Sequence, residues 1–180
     1  GFDTEAKCIE PHAPENTLAS GAGSGLARLL FLQSQPGAKH AAFALHQADW
    51  IAARLMGRGG FSDETNALKT GYDLQTRSWP DWLAACGANT SLLPKVLPVG
   101  ETYGPVSSER ATEFGWPEGV RVVAGVTDSN AAFLASGASR VGDGVTSLGT
   151  TLAIKLLSDR PVSDSARGVY SHRISDMWLT

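Results

Sequence analysis

The chain has 180 residues, 42% of them apolar and 18% charged, with a net charge of −3, ordinary for a soluble globular chain that buries one core or one domain and part of another. That charge offers no electrostatic case for nucleic acid or an acidic membrane surface, no apolar run approaches the roughly 18 residues of a membrane span, and no N-terminal signal pattern is present. Cys8 and Cys86 form no CxxC pair, so neither a disulfide framework nor a zinc site is expected and a reducing, cytoplasmic setting fits best.

Gly1 to Ser24 is rich in Pro, Gly, Ser and Thr without sustained periodicity and reads as a loop. Beyond Gly25, Leu26, Leu29 and Leu30 follow helical spacing, and the run ends near Gln35-Pro36-Gly37. A second helix is predicted over Phe43 to Met56, with Leu45, Trp50, Ile51 and Leu55 as its buried stripe and Gly57 as its stop. Asp63 reads as a helix cap with Asn66 in the first turn. Trp79-Pro80-Asp81-Trp82-Leu83 reads as a helix entrance that ends near Cys86-Gly87. Pro94 and Pro98 mark an extended connection, and a short helix opens at Val106 to Ala111 and closes at Phe114-Gly115.

The last third changes character. Val120 to Gly125 is a β-rich run leading to Asp128 at the mouth of an Ala-rich helix, Ser129 to Ala138. Val141 to Leu157 reads as two strands broken at Ser147-Leu148-Gly149-Thr150, followed by a turn at Ser163 to Arg167 and a final extended stretch. Helices first and strands interleaved later predict an α/β protein.

Two short features carry chemistry. A strand that ends at Gly125 and delivers Asp128 to a helix start puts a carboxylate where α/β proteins bind ligands, able to accept a proton from a hydroxyl nucleophile. The same aspartate also reads as a plain helix N-cap, and the two roles are compatible. The second feature, Ser147-Leu148-Gly149-Thr150-Thr151, offers backbone N–H groups and hydroxyls suited to phosphate oxygens, without Walker A spacing; an ordinary hairpin turn reads the same way. Elsewhere, Trp50, Trp79 and Trp82 fit packing better than a sugar-stacking platform. His172 and Arg173 read as a surface pair, Asp143 as a turn residue, and His12, His40 and His46 lack metal-ligand spacing, so no metal site is expected.

Val123 to Ala132, Gly142-Asp143 and Ser147 to Thr151 together resemble the central signature of the FGGY carbohydrate kinases. Gly23 to Leu30, Asp49 to Gly57, Ser62 to Ala67, Trp79 to Leu83, Leu92-Leu93-Pro94 and Val99 to Gly104 match the family in the same order, so the resemblance covers nearly the whole chain. Gly168-Val169-Tyr170-Ser171-His172-Arg173 is similar to the branch of D-ribulose kinases and xylulose kinase-like members.

The resemblance implies an actin-like, ribonuclease H-like fold whose two domains close over ATP and a sugar: residues 1–138 as the rear of the sugar-binding N-terminal domain, and 139–180 as the start of the nucleotide-binding C-terminal domain. It implies Asp128 as catalytic base and sugar contact, Ser129 and Asn130 as further sugar contacts, and Ser147, Gly149, Thr150 and Thr151 as the cradle of the nucleotide phosphates. ATP and Mg²⁺ are the implied cofactors, and a homo-oligomer is compatible with the family. The family's Asp-x-Gly-Thr-Ser turn, whose aspartate helps hold Mg²⁺, is not in this sequence, and the glycine-rich adenosine segment is expected beyond Thr180. The chain therefore reads as a central piece of a longer enzyme. The alternative is a noncatalytic sugar-binding or interaction fragment of the same fold.

Overall fold

The computed structural model describes residues 1–150 and 152–180; Thr151, expected in the phosphate cradle, lies outside the described residues. The expected opening loop contains a helix, α1 (Asp3–Ile9), with Asp3 and Glu5 in its first turn and Lys7 in its last, each placed to favour the helix dipole. Seven residues are too few to stand alone. Docking holds α1: Ile9 is fully buried and the Phe2 and Phe31 rings meet at 5.1 Å.

Helix α2 (Gly25–Gln33) forms as the spacing predicts, with the Ala27 N–H donating to the Ser24 hydroxyl at 3.1 Å and Leu26, Ala27, Leu29 and Leu30 buried. Gly25 is required by a close approach, since a Cβ there would sit 3.0 Å from the Lys69 carbonyl oxygen.

Helix α3 (Gln47–Met56) starts four residues later than predicted, because His46 takes the N-cap and its N–H donates to the Asp49 carboxylate at 3.0 Å. Gly57 closes it in the left-handed conformation, φ 69°. Its buried stripe is Asp49, Ala52 and Met56, whereas Trp50 and Ile51, expected inside, are 59% and 54% exposed. Small and polar side chains fill the inner face because β1 and Tyr103 pack closely there. Trp79 and Trp82 do pack, partly buried against the first core cluster.

Among the described residues the strands form three small sheets. β1 (Phe61–Asp63) runs parallel to β2 (Lys95–Leu97), with α4 (Glu64–Ala67) and α5 (Trp82–Ala85) in the crossover. β3 (Thr102–Pro105) pairs antiparallel with β4 (Arg121–Val123) around α6 (Ser108–Phe114), which Gly115 ends as expected. After α7 (Asp128–Ala135) come β5 (Gly144–Leu148), β6 (Leu152–Ser158), β7 (His172–Ile174) and β8 (Met177–Leu179), an antiparallel sheet in the order β5-β6-β8-β7. Ser147 and Leu148 belong to β5 rather than to the break between strands.

Four apolar clusters hold these parts. Ile9, Leu26, Leu29, Leu83 and Leu92 join α1, α2 and α5; Ala52, Met56, Tyr103 and Ala124 join α3 to the β3–β4 pair. Tyr72 and Leu74 meet Trp178 of the last sheet. Phe133 packs α7 against Leu157, Ile174 and Leu179, a contact contributing about 2–3 kcal/mol for the phenyl ring alone.

Candidate active site

The chain leaves β4 through buried Ala124 and enters α7 at Asp128. Thr127 occupies the N-cap position (φ −68°, ψ 157°) and its side chain makes no capping hydrogen bond. Asp128 is therefore the first helical residue, with Thr127 in the cap position. The Asp128 side chain is exposed, and Oδ1 accepts the Ser129 N–H at 2.7 Å.

The three residues expected to meet sugar differ in placement. Asp128 and Ser129 are exposed. Asn130 is fully enclosed: its Oδ1 accepts from the Lys155 ammonium, and its Nδ2 has no partner. Ser147, near the end of β5, and Gly149 and Thr150, which follow that strand at the turn end of the β5–β6 hairpin, are all exposed.

The turn that carries Asp128 is anchored from below. The Thr127 N–H donates to the Thr65 hydroxyl at 3.2 Å, and that hydroxyl donates to Asp63 Oδ1 at 2.6 Å. Asp63 accepts three more bonds, from Thr65 N and Asn66 N at 2.9 Å and from Asn66 Nδ2 at 2.8 Å. Asp63 is a helix cap, as expected, and also the root of a link that ends one residue before Asp128. The close spacing of Asp63, Thr65 and Asn66 was the available signal, because Asp and Thr side chains compete for nearby backbone groups.

Further buried polar groups surround this root. Asp49 is 2% exposed, and burial pushes its carboxyl up to about 6 against the His46 N–H, which favours the charged form. His46 Nε2 shares a 3.0 Å hydrogen bond with the Thr70 hydroxyl; burial, helped by Lys69, lowers its pKa. Glu64 is enclosed but meets Arg77 Nε at 2.9 Å. Burial raises its carboxyl, with Arg77 pulling the other way.

His172 was expected at the surface and is buried. It alternates along β7 with Arg173, so His172 and Ile174 face inward. Its Nδ1 has no partner, and burial, with Lys155 and Lys69 adding to it, lowers its pKa to about 4. Arg173 lies over the Trp178 ring at 5.4 Å and donates to the Leu74 carbonyl at 3.2 Å. Lys155 was missed in the sequence, although a lysine inside the apolar run Leu152–Leu157 was a visible irregularity. Burial lowers its pKa, and the Asp128 carboxylate acts to raise it.

Among the described residues no three His, Cys, Asp or Glu side chains cluster at metal-binding spacing. A surface cavity of about 350 Å³ lined by Trp50, Arg54, Arg58, Ser107 and Arg110 holds none of the expected site residues. No helix among the described residues is long and apolar enough to cross a membrane.

The model for the FGGY family of carbohydrate kinases, N-terminal domain, matches residues 30–135, more than half of the chain. The autoinducer-2 kinase of Enterobacter sp. (strain 638) is 35% identical over 123 residues, covering 66% of this chain and 23% of that protein. A putative sugar kinase of Bacillus subtilis (strain 168) is 23% identical over 133 residues, covering 73% and 27%. The chain thus spans about a quarter of the length of these curated relatives. Among solved structures, xylulose kinase from Rhodospirillum rubrum superposes with a TM-score of 0.85 at 24% identity, covering 99% of this chain and 38% of that one. Plasmodium falciparum glycerol kinase with ADP gives 0.77 at 16% identity, covering 99% and 39%. These likenesses establish the fold as part of the actin-like α/β architecture.

Proposed function

Because the chain belongs to the FGGY family of carbohydrate kinases, we propose that it supplies the base and part of the phosphate cradle for ATP-dependent phosphorylation of a sugar hydroxyl, a ketopentose such as D-ribulose or D-xylulose being favoured. The observation that carries this reading is Asp128: an exposed carboxylate at a strand-to-helix junction, one oxygen held by Ser129 N–H and the other open. In the proposed step Oδ2 takes the proton of the attacking hydroxyl, the sugar oxygen forms a bond to the terminal phosphorus of ATP, and the bond to the ADP oxygen breaks. Such transfer asks chiefly for positioning and charge stabilisation. The exposed Ser147, Gly149 and Thr150 suit phosphate oxygens, with Thr151 assigned beside them by the family pattern. Asp128 and Ser129 are the sugar-side contacts proposed, with Asn130 behind them. Mg²⁺ accompanies the nucleotide in this reading, and no step is routed through it. Residues 1–138 then form the rear of the sugar-binding domain and 139–180 the start of the nucleotide-binding domain, in a cytoplasmic enzyme.

The test is Asp128→Asn in the full-length protein, assayed with D-ribulose, D-xylulose and glycerol as acceptors. The amide keeps the shape and the Ser129 bond but takes no proton, so kcat is expected to fall by about 10²–10⁴-fold, the usual worth of a general base. A variant that turns over at close to the normal rate removes Asp128 from the role. A preference for glycerol over both ketoses overturns the substrate class.

A further inference from the structure

Strand β6 has two unlike faces. Leu152, Ile154 and Leu156 point outward and are exposed, whereas Ala153, Lys155 and Leu157 are more enclosed and Leu157 packs on Phe133 of α7. A lysine in that inner row gives up part of its hydration, and the structure shows where its ammonium goes. Nζ donates to Oδ1 of Asn130, which is 0% exposed. Lysine carries donors alone, so the Asn130 amide must present its oxygen to it, leaving Nδ2 without a partner.

Asn130 lies in the first turn of α7, two residues beyond Asp128. Lys155 lies on the strand that leaves the turn at Gly149 and Thr150. The same helix start is held from its other side by the Thr65 hydroxyl on Thr127 N–H. Two segments far apart in sequence thus clamp one helical turn, and the clamp on the hairpin side passes through one ammonium group.

We propose that Lys155 is a positioning residue: through Asn130 it fixes the first turn of α7, and with it the Asp128 carboxylate, relative to the hairpin turn expected to cradle phosphate. The inference rests on the reading of Asp128 as the base. The ammonium touches neither reactant in this account. Lys155 is half-buried, and removing its ammonium leaves the enclosed Asn130 Oδ1 without that donor, at some cost in stability. The kinetic split, the arginine rescue and the double variant therefore identify the positioning role, and Tm bounds the structural part.

The experiment compares Lys155→Met, Lys155→Arg, Asp128→Asn and the Lys155→Met/Asp128→Asn double variant in the full-length protein, measuring kcat, both KM values and Tm. Lys155→Met is expected to lower kcat by about tenfold or more, the worth of a hydrogen bond to a charged group, with both KM values within about threefold and Tm lowered modestly by the loss of one bond to the enclosed Asn130 amide. Lys155→Arg, which keeps charge and donor, restores kcat to within about threefold of the parent. In the Asp128→Asn background Lys155→Met costs no further rate, because it acts through that carboxylate. Should Lys155→Met not fold, Asn130→Ala cuts the same bond from the other end and gives the same split.

A Lys155→Met enzyme with parental kcat overturns the proposal while leaving the base intact, provided Asp128→Asn is inactive. A loss of rate that disappears when the assay is run well below the variant's Tm, or that Lys155→Arg does not restore, overturns it too. An active Asp128→Asn instead sinks the reading on which it rests.

Discussion

The polar interior around β1 and α4 and the apolar surface of the β5–β6 hairpin sort their side chains in opposite ways. Ser62, Asp63, Glu64 and Thr65 are at most 3% exposed, while Leu148 and Ile154 are 86% and 69% exposed. The first region tolerates its inversion because its charged groups have partners: Asp63 accepts four hydrogen bonds and Glu64 meets Arg77, while the Ser62 hydroxyl is enclosed without one among the described residues. The second has no such device, because nothing among the described residues covers that face of the hairpin. The lesson is that burial here follows connection rather than hydropathy. Polar groups that are bonded to one another go inside, linked through Thr65 to the turn before Asp128, and apolar ones without a facing layer stay out.

The hardest way to break the comparison is to remove its root. Asp63→Ala strips four hydrogen bonds at once and leaves the Thr65 and Asn66 donors buried or partly buried. Unmade buried bonds cost about 1–3 kcal/mol each but are not additive, so a total loss of about 4 kcal/mol is expected in urea denaturation. Asp63→Asn, which keeps one carbonyl acceptor, is expected to lose about half of that. A cost below about 1 kcal/mol for the alanine variant, the ordinary size for any substitution, would show the polar interior to be incidental.

Next comes pH, where two buried groups pull in opposite directions. Asp49 has its folded pKa raised from 3.8 to about 6, so the folded state holds a proton that the unfolded chain has released. Its contribution is full below pH 3.8 and is lost as pH rises through about 6, a change of at most about 3 kcal/mol. His172 has its folded pKa lowered from 6.5 to about 4; its contribution is full above pH 6.5 and is lost as pH falls toward 4, again at most about 3 kcal/mol. Between these limits the two slopes partly cancel. Asp49→Asn should therefore expose a steeper acid-side loss than the parent shows, and His172→Gln a steeper loss toward neutral pH. Thermal melts of the three proteins from pH 4 to 7 check both; parallel curves would contradict the assignment.

How much of this was legible in the sequence depends on the range of the contacts involved. Helix α2, the closing glycines of α3 and α6, and the hairpin were readable because their causes lie within a few residues: Ser24 before Leu26, Gly57 after Met56, Gly115 after Phe114. Asp128 was placed at a strand-to-helix junction for the same reason, although Thr127, not Asp128, holds the cap position. Helix α1 was missed because its stability comes from docking on α2. The inner face of α3 was misjudged because hydropathy favours Trp50 and Ile51, while the neighbouring strand and Tyr103 leave room for Ala52 and a capped Asp49. The supports of the site were hidden for a simpler reason. Thr65 and Thr127 are 62 positions apart, and Asn130 and Lys155 are 25 apart, so no local pattern joins them. A single aspartate at a helix start signals a cap whether or not its neighbour leans on a distant hydroxyl.

The gentlest test lies on β6, where adjacent faces of one strand should answer differently. Ile154 is 69% exposed and Leu157 2%, and their odd separation puts them on opposite faces. Ile154→Thr keeps the β-branch that suits a strand and removes little buried area, so its expected effect on unfolding is within about 0.5 kcal/mol. Leu157→Ala opens a hole beneath Phe133 and should cost about 2–5 kcal/mol. The near-silent variant is the more informative of the two. If Ile154→Thr cost as much as Leu157→Ala, the outer face would be packed, and burial by connection would fail at the very place where the comparison is most exposed.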